Sequence, residues 1–262
     1  WPSRVAARLP WSRSPLMRHP LAPPLLGRSP APLLALIAVA CLLAGCAAPF
    51  GGRPAGGATA TPRPSPPGLT YVALGASDAY GIGTDDPDRL NWPSVLAGEL
   101  GGPVHLVNLG IPGATVADAL RAELPVALDA HPAVVTIWLA VNDLANGNDL
   151  ATYTQQLTAL VAALRQGTTA RIFVGNLPDL TLLPYFSADD PAALGAEVRT
   201  WNAAIAGVCR GEGAHLVDLN VGWQDLADHP EYISSDGLHP STAGAAIIAA
   251  TFASAIRAAG TP

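Results

Sequence analysis

Residues 133–143 read Ala-Val-Val-Thr-Ile-Trp-Leu-Ala-Val-Asn-Asp. From Ala133 to Ala140 the chain is apolar or β-branched on both faces, and it then turns polar at Asn142-Asp143. A short run lacking in/out alternation is what a strand needs when helices cover both faces of a parallel sheet. Similar runs occur at Thr70–Leu74, Val104–Asn108, Ala170–Gly175 and Ala214–Leu219. Helical patterns separate them at Trp92–Leu100, Val116–Leu124, Leu150–Gln166 and Pro191–Cys209, and a last one follows at Thr242–Ala258. Strand and helix in alternation predict an α/β domain, a three-layer α/β/α sandwich on a five-stranded parallel sheet. Ligands in such sheets sit beyond the carboxyl ends of the strands. Polar clusters just after strands, or in the last loop, are therefore the ones to read for chemistry.

Four such clusters stand out. After the first strand comes Leu74-Gly75-Ala76-Ser77-Asp78-Ala79-Tyr80-Gly81. A Ser there, flanked by small residues, can point its hydroxyl into the crevice, although a lone Ser in this setting is usually a helix cap or turn residue. After the second comes Asn108-Leu109-Gly110-Ile111-Pro112-Gly113, in which Gly110 offers a backbone N–H with no side chain to block a substrate. After the third, Asn142 carries an amide that can donate to a developing oxyanion, or can simply make an Asx turn. Near the C-terminus comes Ser235-Asp236-Gly237-Leu238-His239-Pro240. A carboxylate three residues before a His can bond its Nδ1 and leave Nε2 free for a nucleophile.

Together, and in this order at successive strand ends, these clusters resemble the SGNH hydrolases, the GDSL-like lipase/acylhydrolase family. The resemblance spans roughly residues 70–258. It implies a flavodoxin-like parallel sheet and a catalytic triad of Ser77, Asp236 and His239. It also implies oxyanion donors at Ser77, Gly110 and Asn142, and hydrolysis of carboxylic esters through an acyl-enzyme on Ser77. The implied substrate is a small-molecule or lipid ester. The same acyl-enzyme could be resolved by an alcohol, as in an acyltransferase, and the same fold could serve as a silent, tethered binding domain. Asn176-Leu177-Pro178-Asp179-Leu180 also matches bacterial members, with no catalytic role attached. Two departures mark a divergent subgroup: Ala76 stands where the family's first motif has Asp, and Ala140 where its third has Gly. The pattern Gly75-x-Ser77 also resembles the α/β-hydrolase elbow, but that Ser follows several strands, and its acid lies well before the His.

Composition narrows the rest. Half of the 262 residues are hydrophobic and 13% are charged, enough apolar character for a sizeable core. There are 14 basic residues, all arginine. Without lysine, a Walker-type phosphate loop, a Schiff base or a Ser-Lys dyad is excluded. From residue 47 onward, nine arginines face 20 acidic residues, a poor balance for nucleic-acid binding. No HExxH or CxxC pattern occurs, so no metal and no cofactor is expected. Cys209 continues the helical spacing of Trp201, Ile205 and Val208 and reads as a core residue. His19, His105, His131, His215 and His229 read as ordinary cap or surface residues.

Residues 1–46 read as an N-terminal extension and an export signal. Residues 1–16 fit no pattern and suggest a misassigned upstream start. From Met17, two arginines precede the apolar run Leu33–Leu43. That run is too short for a comfortable membrane span. Its end, Leu43-Ala44-Gly45-Cys46, resembles a bacterial lipoprotein box, which implies acylation of Cys46 and anchoring on the outer face of a membrane. An ordinary signal cut near Ala47-Ala48 is the plainer alternative. Residues 47–68, rich in Gly, Pro and Thr, read as a tether. The domain then runs over 69–262. The oligomeric state is left open.

Overall fold

A computed structural model describes residues 68–222 and 228–260. The expected signal, Cys46 and the tether up to residue 67 lie outside the described residues. Among these residues, five strands form one sheet: β1 (Leu69–Gly75), β2 (Val104–Asn108), β3 (Val134–Trp138), β4 (Arg171–Gly175) and β5 (His215–Val217). All pair in parallel, in the order β2-β1-β3-β4-β5. The interior strands bear out the apolar reading. β3 is buried along its whole length and β1 from Tyr71 onward, whereas the edge strands β2 and β5 are only partly covered.

Among the described residues, eight α-helices fill the connections: α1 (Ser77–Tyr80), α2 (Trp92–Glu99), α3 (Val116–Asp129), α4 (Val141–Ala145), α5 (Leu150–Gly167), α6 (Pro191–Glu212), α7 (Leu219–Gly222) and α8 (Thr242–Ala258). α2 packs on α8, which covers β4 and β5. α3, α5 and α6 form a second row, with α3 on β1 and α6 on β5. The two rows are the outer layers of the sandwich. Their starts are written in the sequence as caps. Thr115 and Asp118 make a reciprocal capping box on α3, and Asp149, Asp190 and Ser241 each accept a first-turn N–H of α5, α6 and α8.

Several boundaries differ from the sequence expectation, among them the end of α6, which runs to Glu212 rather than Cys209. α3 continues through Pro125 to Asp129, because Pro125 lies on the exposed side while Glu123 and Ala127 keep burying the opposite face. β3 ends at Trp138 rather than Ala140, and β5 at Val217 rather than Leu219, because the next residues leave the ladder to start α4 and α7. α1 and α4 themselves are single turns too short to show a period.

Aromatic packing joins the sheet to the α2/α8 layer. Trp92 stacks on Phe252 with centroids 4.8 Å apart and meets Trp138 edge-on at 6.2 Å. Phe252 is fully buried. Its replacement by Ala would leave a cavity against Trp92, so Phe252→Ala is expected to lose about 3–5 kcal/mol, read as a lowered denaturant midpoint with an unchanged slope.

Candidate active site

The strand order places a switch at β1. The chain leaves β1 for β2 on one side and returns for β3 on the other, which opens a crevice beyond the carboxyl ends of β1 and β3. Register then decides what lies there. Gly75 pairs with Trp138, so β1 and β3 end level, whereas β2 stops two residues short, with Asn108 opposite Ala73. Ser77 is two residues past Gly75, Asn142 four past Trp138, and Gly110 two past Asn108.

Ser77 opens α1, and the first N–H of a helix has no acceptor within it. The Ser77 hydroxyl lies 2.8 Å from His239 Nε2, and His239 Nδ1 lies 2.6 Å from Asp236 Oδ2. The second oxygen of Asp236 accepts the N–H groups of Leu238 at 2.8 Å and His239 at 2.9 Å. Burial alone would raise this carboxyl, but those backbone donors and the imidazole outweigh it and hold it at about 2. A carboxylate on Nδ1 fixes the imidazole with its proton there, so Nε2 is left to accept from the Ser77 hydroxyl. The loop carrying Asp236 and His239 lies close against Gly83. This residue has φ +96°, and an added Cβ there would sit 2.4 Å from the Pro240 carbonyl oxygen.

Asn142 stands in α4, and its amide nitrogen donates to the Ala114 carbonyl at 2.9 Å, which leaves its second hydrogen uncommitted. Its neighbour Asp143 is buried and accepts the first N–H of α3, from Val116, at 3.0 Å. The Asn-Asp pair thus divides its work: Asn142 faces the cavity and Asp143 holds α4 to α3.

Gly110 does not line the cavity. Its N–H donates to Asn108 Oδ1 at 3.1 Å, while Asn108 Nδ2 donates to the Ala79 carbonyl at 2.6 Å. Its missing side chain is needed for packing, since a Cβ would lie 2.6 Å from the Tyr80 nitrogen and 2.9 Å from the Ala76 carbonyl oxygen. Close approach to the α1 turn accounts for glycine here. Cys209 is buried in the core, and burial pushes its thiol up to about 11.

Ser77, Asn142 and His239 line a cavity of about 610 Å³, its open mouth included. The rest of its wall is largely apolar, from Trp138, Leu139, Val141, Leu183, Ile233 and Leu238. Trp138 is fixed by donation from its indole N–H to the Asn176 carbonyl at 3.0 Å. Leu183 and Ile233 come from irregular segments, where no periodicity could single them out.

Two acidic groups near Ser77 escaped the sequence reading. Asp78 accepts the Trp92 indole N–H at 3.1 Å, and burial pushes its carboxyl up to about 6. Glu123 of α3 accepts the Gly75 N–H at 2.9 Å and is 1% exposed. A signal for it existed: the buried stripe of α3 runs Val116, Ala119, Glu123, Ala127, and a carboxyl on such a stripe is unusual.

A family model for the GDSL-like lipase/acylhydrolase family matches residues 73–247. No curated protein sequence gives a significant match. Solved structures share the fold. The psychrotrophic esterase EstA from Pseudoalteromonas sp. is 22% identical, with TM-score 0.58, over 72% of this chain and 97% of its own. A lipase/acylhydrolase from Enterococcus faecalis is 19% identical, with TM-score 0.59, over 73% and 96%. A variant of an acetyl xylan esterase from Geobacillus stearothermophilus is 20% identical, with TM-score 0.59, over 74% and 95%. With the family model covering most of the chain, and with the five-stranded parallel sheet these structures share, the chain belongs to the GDSL-like lipase/acylhydrolase family of hydrolases.

Proposed function

We propose that this protein is a serine esterase that cleaves carboxylic esters through an acyl-enzyme on Ser77. The observation that carries this reading is the continuous chain from the Ser77 hydroxyl to His239 and on to Asp236, at 2.8 and 2.6 Å, opening on an apolar-walled cavity. His239 Nε2 takes the hydroxyl proton as Ser77 Oγ bonds to the ester carbonyl carbon. The ester C–O bond breaks, and His239 returns the proton to the leaving alcohol. Water repeats the sequence and releases the acid. Asp236, ionised throughout the neutral range, orients the ring and stabilises the imidazolium.

The oxyanion falls to the Ser77 N–H and the free Asn142 amide hydrogen. Gly110 can join them only by sharing its hydrogen with Asn108 Oδ1. The apolar wall favours an ester whose acyl part is hydrocarbon. Export and anchoring through Cys46 belong to the same proposal and rest on the sequence pattern of residues 17–46; a diacylglyceryl-modified Cys46 at the mature N-terminus, seen by mass spectrometry, would establish them.

A p-nitrophenyl ester series from acetate to palmitate tests the reading. Ser77→Ala should abolish turnover, and equal activity in parent and variant would refute the nucleophile. Asn142→Ala should lower kcat by about 10²–10³ with little change in KM; a change in KM alone would remove the oxyanion role. Gly110→Ala should also cost kcat, because its Cβ would push the turn that carries Ser77.

A further inference from the structure

Glu123 is a buried acid that the proposed mechanism does not use. It reaches from α3 to the N–H of Gly75, two residues before Ser77, with Oε2 at 2.9 Å. Its other oxygen, Oε1, is buried and has no hydrogen-bond partner among the described residues. The charged groups that act on it are both acids, Asp78 of the nucleophile turn and Asp118 of its own helix. Among the described residues, no cation is one of the charged groups that act on it. α5 buries Tyr153 with Leu157, Leu160, Val161 and Leu164, and the Tyr153 hydroxyl is bound to the Leu139 carbonyl. In β1 the Tyr71 hydroxyl is bound to Thr136. A carboxylate so placed would be an uncompensated buried charge, whereas a carboxylic acid costs far less. The chain also lacks an acid where the family's first motif usually has one, at Ala76. The only carboxyl bonded to the backbone of that turn from outside it comes from α3, among the described residues.

We propose that Glu123 is a positioning residue for the nucleophile: as an uncharged carboxylic acid, it fixes the end of β1 through the Gly75 N–H and so sets where α1 presents the Ser77 hydroxyl to His239. The inference rests on the reading of Ser77 as nucleophile. Burial pushes the Glu123 carboxyl up to about 8; the Gly75 hydrogen bond opposes this, and Asp78 and Asp118 add to it. The acid is therefore neutral at pH 7, and its ionisation falls on the alkaline side. A folded-state value above the unfolded one means that the folded state keeps its proton longer. The stability this gives is complete below the ordinary carboxylate range and lost as pH rises through about 8.

The test compares the full chain with Glu123→Ala and Glu123→Gln, using p-nitrophenyl butyrate, fluorophosphonate labelling of Ser77 and thermal midpoints across pH 6 to 10. At a temperature where circular dichroism shows all three folded, Glu123→Ala should lower kcat by about tenfold or more at nearly constant KM, and should slow labelling by a similar factor. Glu123→Gln keeps an acceptor for the Gly75 N–H and should recover most of that loss. The parent's kcat and midpoint should fall as pH passes about 8, and the Gln variant should lack that fall. Parent-like kcat in Glu123→Ala, or superimposable alkaline profiles for parent and Glu123→Gln, would overturn the inference. Failure of the underlying reading shows separately, as activity surviving Ser77→Ala.

Discussion

The level ending of β1 and β3 is the constraint on which the site depends. Side chains cannot meet across a crevice unless the strands that deliver them stop at the same height. The register does this by pairing Gly75 with Trp138, the last residues of β1 and β3. A slip of one residue would turn every buried side chain of β1 or β3 to the opposite face of the sheet, and both strands are buried on both faces. The cost of a slip to the core is thus what keeps Ser77 and Asn142 in step. The partner of Ser77 arrives from 162 residues away, in a loop held by its own turn and packed close against Gly83. Burial sets one half of the site and local turn chemistry the other.

The acidic groups around Ser77 share one functional group and differ in surroundings. Asp236 lies in an exposed loop, receives two backbone N–H groups and stays ionised. Asp78 has an indole donor, and desolvation pushes its carboxyl up to about 6. Glu123 has one backbone donor and none for its second oxygen, and titrates near 8. Counting donors against burial orders the three groups. Only the first has the properties of a partner for an imidazolium; the other two hold structure beneath the turn.

The parts of this arrangement legible in the sequence were those written as runs or motifs. Continuous apolar stretches located the five strands, and β2 and α8 fell on the residues expected, because burial on both faces leaves a pattern that needs no context. α1 and α4 did not show, since a single turn has no period, yet they carry Ser77 and Asn142. The helix expected over Val116–Leu124 runs on through Pro125 to Asp129, because packing holds its buried face beyond the proline. The cavity wall was illegible for a different reason: Leu183 and Ile233 face it from irregular chain, and only the fold brings them to Trp138. Glu123 was visible as an acid on an apolar stripe, but the stripe alone does not say which backbone group it meets.

The two departures from the family motifs are explained by the backbone around them. Ala140 has φ −176°, in the extended range open to any residue, so nothing there demands glycine. Its side chain is 4% exposed, a methyl group's worth of filled space behind the Asn142 turn. Ala76 has φ −114° and is 6% exposed. An acid at 76 would be buried two residues from Asp78, adding a third carboxyl where the charge of Asp78 already disfavours ionisation of Glu123. Alanine at 76 and a neutral Glu123 are two sides of one solution. The turn keeps a carboxyl on its backbone, delivered from the helix beneath it, and avoids a second one from within.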